Sequence, residues 1–142
     1  MANTSAHGKL LNAAHRALTE QQYQQAHKLA MQVLQANPQE AEAYFIMALI
    51  TRQHDNIAKA EDIIRRALKF DGENVNYLLF QAQCLLELNQ TDDAKAILAG
   101  LSTANIASAH QNDTVGVLHS RLGQHAAALD YFRRACELKA DH

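Results

Sequence analysis

The chain has 142 residues and a mass of 15.7 kDa, the size of one domain or one compact array. Its 13 Lys and Arg against 15 Asp and Glu leave a formal net charge of −2, which argues against a nucleic acid or a membrane surface as partner, since both reward a marked basic excess. Hydrophobic residues make up 48%, which excludes a disordered tail, and one Pro with five Gly among many Ala, Leu, Gln and Glu predicts helix nearly throughout.

Eight helices are predicted in chain order, over 8–20, 23–36, 41–53, 57–70, 75–88, 92–101, 108–121 and 125–139. Within them apolar residues recur three and four apart; Ile57, Ala60, Ile63, Ile64, Ala67 and Leu68 form the clearest stripe. Polar breakers separate the paired helices: Gln21-Gln22, His54-Asp55-Asn56, Asn89-Gln90-Thr91 and Gly123-Gln124. Asn37-Pro38 ends the second helix, because Pro pushes the residue before it out of the α region. Asn74 is placed to cap the fifth helix and Thr91 the sixth, with Asp92 and Asp93 against its positive end. Gly100, Ser102 and Thr103 predict that the sixth helix stops early.

Small residues recur with a period of 34. One column is Ala26, Ala60, Ala94 and Ala128; a second is Ala14, Ala48, Ala82 and Gly116. A third column grows along the chain, from Ala30 through Ile64 and Leu98 to Phe132. Two helices approach to about 8–10 Å only where facing side chains are small, so the first two columns predict a tight seam in each of four hairpins. The repeats are 7–40, 41–74, 75–108 and 109–142. The expected organisation is one array over residues 1–142, and its stop on a repeat boundary predicts a fragment of a longer protein.

These columns resemble the tetratricopeptide repeat (TPR) family, with the small residues of unit positions 8 and 20 present in all four units. Unit position 4 reads Leu10, Tyr44, Leu78 and Asn112, of which Asn112 departs from the bulky apolar pattern, as do Gln81 and His125 at positions 7 and 17. Only Pro38 fills the family's proline position. The resemblance implies an all-α fold: a right-handed α-solenoid of four helix-turn-helix repeats whose first helices line a concave face. It implies a scaffold that binds a protein or peptide in that groove.

The groove positions of the family are here Leu11, His15 and Leu18; Phe45, Leu49 and Arg52; Leu79, Gln83 and Leu86; and Asp113, Val117 and Arg121. The stripe is apolar over three repeats and polar in the fourth, which suits an amphipathic helix or a hydrophobic strand, with Arg52 and Arg121 orienting an acidic group. The same spacing also describes residues packed between adjacent first helices, and periodicity alone does not separate the two. The basic clamp with which some TPR modules hold a peptide carboxylate is missing: Asn76, Phe80, His110 and Thr114 stand there.

No catalytic machinery is expected, and no cofactor. The carboxylate pairs Asp92-Asp93 and Glu61-Asp62 read as solvated helix starts, where acid/base chemistry needs them across a cleft. Eight histidines form no zinc-ligand spacing; His119, His125 and Asp113 are the one cluster that merits a metal titration. Two cysteines, Cys84 and Cys136, predict buried thiols in a reducing compartment. The start has no apolar leader and no apolar run is long enough to cross a bilayer, so a cytoplasmic location is expected. Leu129, Cys136 and Leu138 on the last helix await a cover, from an extra solvating helix of the kind many TPR proteins supply or from a second copy, and the resemblance also implies an alternative role as the recognition arm ahead of a catalytic domain such as a sulfotransferase or glycosyltransferase.

Overall fold

The computed structural model describes residues 2–140, without the side chains of residues 2–6 and 104; His142 lies outside the described residues. It contains α1 (Ala2–Thr19), α2 (Tyr23–Ala36), α3 (Ala41–Gln53), α4 (Ile57–Phe70), α5 (Val75–Glu87), α6 (Thr91–Gly100), α7 (Ala109–Arg121) and α8 (His125–Ala140), and no strand among the described residues. Seven of the helices lie within two residues of the expected bounds. Helix α1 starts six residues earlier than expected, in a stretch with no Gly or Pro to stop it.

The helices form two compact units, Met1–Glu73 and Asn74–His142. In the first, α1 pairs with α2 and α3 with α4, while α3 also touches α1 and α2. In the second, α5 pairs with α6 and α7 with α8, and α5 meets α7.

The small-residue columns sit on these seams. Ala14, Ala26, Ala48, Ala60, Ala82 and Ala94 are wholly inaccessible to solvent. In the last hairpin the pair is Gly116 and Ala128. A Cβ on Gly116 would stand 2.7 Å from Cε1 of Phe132, so glycine there makes room for the ring. Around these seams Ile46, Ile50 and Val33 fill the first unit, and Leu79, Leu85, Leu98, Val115 and Leu118 the second.

Each hairpin turns by the same device. Gln21, Asp55, Asn89 and Gly123, spaced by 34, all have positive φ, at 60°, 64°, 62° and 77°. Each left-handed residue lets two amides turn back onto the helix end. Gln22 donates to the Ala17 carbonyl at 2.7 Å and Gln21 to Leu18 at 3.0 Å; Gln124 donates to His119 at 2.8 Å and Gly123 to Ser120 at 3.0 Å. This is the Schellman arrangement, and it satisfies carbonyls that the helix end would leave bare.

The caps follow the sequence in part. Asn74 Oδ1 accepts the Tyr77 amide at 3.2 Å, as expected. Thr91 is not a cap: it is the first residue of α6, behind Gln90, whose side chain makes no capping bond. Helix α6 does end early, with 10 residues against 14 in α2 and in α4. A connector with one 3-10 turn, Thr103–Asn105, takes over the missing length. Helix α7 then starts from a capping box, in which Ser108 Oγ accepts the Gln111 amide at 3.0 Å and Gln111 Oε1 accepts the Ser108 amide at 3.4 Å.

Candidate interaction surface

The predicted groove residues fall into two sets, one in each unit. In the first unit, Leu11, His15 and Leu18 lie on one stripe of α1, and Phe45, Leu49 and Arg52 on one stripe of α3. All six are half-buried. Leu11 and Leu18 rest on the edge of the core beside Ala14, Ala17 and Ile46. The two helices are tied across this face by His15 Nε2 and Glu42 Oε1, 2.9 Å apart. The result is an apolar strip interrupted by one polar bridge.

The second unit is different. Leu79 and Leu86, at the matching places on α5, are 4% and 8% exposed and belong to the unit's core with Val115 and Leu118. Gln83 between them is half-buried. On α7, Asp113 is held by Lys139 Nζ at 3.0 Å, Val117 is 48% exposed, and Arg121 is exposed. That ion pair raises the Lys139 pKa, first through its hydrogen bond to Asp113 and then through the charge of the same carboxylate. The face of α7 is thus polar with one open valine.

The cluster singled out for a metal titration, His119, His125 and Asp113, is not arranged as a metal site. Asp113 is engaged by Lys139, while the Nδ1–H of His119 donates to Gln124 Oε1 at 2.6 Å. The His119 ring lies flat on Tyr131, 5.2 Å between centroids, with the Arg134 guanidinium 5.1 Å from the same tyrosine ring. Among the described residues no group of three His, Cys, Asp or Glu is arranged to hold a metal ion. Cys84 is buried as expected, but Cys136 is exposed, because it lies on the side of α8 away from Ala128 and Ala135. Leu129, one helical heptad before it, is 61% exposed.

One concavity has no counterpart in the sequence reading. At the turn end of the first unit, Gln22, Tyr23, Gln25, Lys28 and His54 line an open cleft of about 820 Å³. The Nδ1–H of His54 donates to the Ile50 carbonyl at 2.8 Å, and its ring meets the Tyr23 ring edge-on. The lining residues are scattered over three helix ends with no motif to announce them.

No helix among the described residues is long and apolar enough to cross a membrane. No curated protein sequence matches the chain. Among solved structures, the Pseudomonas aeruginosa pilF protein superposes on the whole chain with a TM-score of 0.84 at 19% identity. The chain spans only 65% of that neighbour's length. Thermobaculum terrenum O-GlcNAc transferase matches 94% of the chain at a TM-score of 0.79 and 21% identity, but only 27% of the enzyme is covered. YrrB, described as a TPR protein with an unusual peptide-binding site, matches 98% of the chain, and 72% of its own, at a TM-score of 0.66 and 16% identity. These likenesses show the fold, an all-α helical-repeat solenoid. Residues 114–142 match the family model of the tetratricopeptide repeat, and residues 19–101 match that of anaphase-promoting complex, cyclosome, subunit 3. The two matches together take in most of the chain, and with four helical hairpins on a 34-residue beat this protein belongs to the TPR-type repeat proteins.

Proposed function

We propose that this protein is a non-catalytic scaffold, one four-repeat array over residues 1–142, whose partner lies on the α1/α3 face of the first unit. The observation that carries the reading is the half-open apolar strip of Leu11, Leu18, Phe45 and Leu49 on that face. A strip of that width takes the apolar side of an amphipathic helix or a hydrophobic peptide segment. Polar groups of the partner meet the His15–Glu42 bridge at its middle and Arg52 at its end. A peptide-binding site is described for YrrB, a protein of the same fold, which supports this class of partner. On α5 the equivalent leucines serve the core, so the first unit carries the contact. The two thiols, Cys84 buried and Cys136 exposed, suit a reducing, cytoplasmic setting.

The test is affinity capture with the parent protein and with Leu49→Glu, each checked for helix content by circular dichroism. The expected result is a folded variant that loses the partners retained by Val117→Glu. A folded Leu49→Glu protein that keeps every partner would sink the reading.

A second reading has its own observation. The chain aligns with 27% of a glycosyltransferase, the share expected if such an array is the recognition arm of a larger enzyme. Reading the natural frame beyond residue 142 decides it. Self-association through the exposed Leu129 side of α8 is checked by light scattering, with Leu129→Glu as the control.

A further inference from the structure

Residues 21–25 read Gln-Gln-Tyr-Gln-Gln, four carboxamides around one ring. They form the turn into α2 and its first residues, and they border two adjoining cavities in the first unit. One is the open cleft of about 820 Å³. The other is a recess of about 280 Å³ between α2 and the end of α3, walled by Tyr23, His27, Ile50 and His54. Tyr23, Gln24 and His54 border both, so cleft and recess meet along these three side chains.

The two chambers differ in chemistry. Apart from Gln24, the recess is lined by three rings and a buried isoleucine. An apolar cavity of about 150 Å³ is enough for benzene, so one ring fits. The shared wall is ordered in advance. The Nδ1–H of His54 donates to the Ile50 carbonyl at 2.8 Å, and Tyr23 meets His54 edge-on at 5.6 Å between centroids. A ligand seated on such a wall costs it little further rotamer freedom. The cleft is polar. Lys28 stands one helical turn after Gln24 on the same face of α2, as His27 does after Tyr23. The Lys28 ammonium and the glutamine carboxamides supply hydrogen-bond donors there. No Asp or Glu lines either chamber, although the protein as a whole has a formal net charge of −2.

We propose that this double chamber binds an aryl carboxylic acid, its ring in the recess and its carboxylate in the cleft against Lys28 and the glutamine amides. A neutral aryl compound leaves the cation of the cleft without a counter-charge, and a bare anion leaves the recess to water. A ligand with both parts matches both chambers. The site is built by α2 and by Ile50 and His54 at the end of α3, a different stripe from Phe45, Leu49 and Arg52, so it does not depend on the partner face proposed for α1 and α3. An aryl acid occurs free or as the last residue of a peptide, and both carry this chemistry.

Titration of the whole chain with phenylacetate, followed by two-dimensional NMR, tests the site. Saturable shifts are expected at Tyr23, Gln24 and His54. Phenylacetate should bind about three- to five-fold tighter than phenylacetamide, its neutral isostere, the range for an ion pair open to solvent. Acetate, which has no ring, should give no saturable shift there. Lys28 and His27 are exposed, so substitutions at either leave the core intact. Lys28→Gln should abolish the preference for the acid over the amide. His27→Glu, which sets a carboxylate beside the recess, should weaken phenylacetate more than phenylacetamide. N-acetylglycyl-phenylalanine separates the two sources: tighter binding than phenylacetate assigns the site to a peptide end, and weaker binding assigns it to a free acid. Shifts that never saturate or spread evenly over both units, equal affinity for acid and amide, or a Lys28→Gln protein that keeps the full preference would overturn the proposal.

Discussion

The fourth hairpin carries a compensating pair, and its coupling can be worked out. Where other repeats set Ala48 against Ile64 or Ala82 against Leu98, this one sets Gly116 against Phe132. Adding a methyl group at residue 116 places it 2.7, 2.8 and 3.0 Å from three carbons of the ring. Carbon atoms in good contact lie about 3.5–4.0 Å apart, so the ring has to move by most of an ångström. Alanine at a mid-helix glycine gains about 1 kcal/mol of helix propensity. Overpacking costs roughly 1–3 kcal/mol. The half-buried ring escapes part of that cost by turning outward, and we expect Gly116→Ala to lose about 1 kcal/mol net. With Phe132→Leu the obstruction is gone. Gly116→Ala in that background should then gain about 1 kcal/mol, for a coupling of about 2 kcal/mol between the two positions. Urea titrations of the four proteins in the cycle, followed by helix ellipticity, measure it. Two substitutions that add to within about 0.5 kcal/mol would refute the contact.

Three other outcomes follow from single features. Gln21 holds a left-handed conformation that costs a residue with a Cβ roughly 1–2 kcal/mol, so Gln21→Gly should gain part of that, about 0.5–1 kcal/mol, in a thermal melt, while Gln22→Gly should not. Ala60→Leu and Ala94→Leu force a larger side chain into a fully closed seam and should each cost roughly 1–3 kcal/mol or more; melts equal to the parent would contradict the packing. The Lys139 pKa is raised by Asp113, so the folded state binds that proton more tightly than the unfolded state. The pair's contribution is therefore full below lysine's ordinary pKa and disappears as the pH climbs through the raised value. Stability profiles of the parent and Lys139→Met should show a gap at neutral pH that closes on the alkaline limb.

The repeat was readable because close helix contact tolerates few side chains, and a restricted alphabet leaves a visible column. The turns obey the same beat but were harder to see. Gln21, Asp55, Asn89 and Gly123 share a backbone conformation and not a residue type, so the shared feature is in φ and not in the letters. The depth of the predicted interaction face was not legible, for another reason. Leu11 and Leu18 on α1 have the spacing of Leu79 and Leu86 on α5, yet the first pair is half-open and the second is core. Spacing assigns a residue to a side of its helix, and the depth of that side is set by whatever helix or connector packs over it. In the second unit, the short α6 and its connector change that packing, with Ile106 entering the core beside Leu79 and Leu86. Asn112 shows the same limit from the opposite direction. It was conspicuous as a misfit to the repeat, but its partners are the carbonyls of Ile106 and Ser108, and a backbone carbonyl has no letter of its own. A polar residue at a core position of a repeat is therefore best read as a demand for a backbone partner nearby, to be sought where the previous repeat stops being helical.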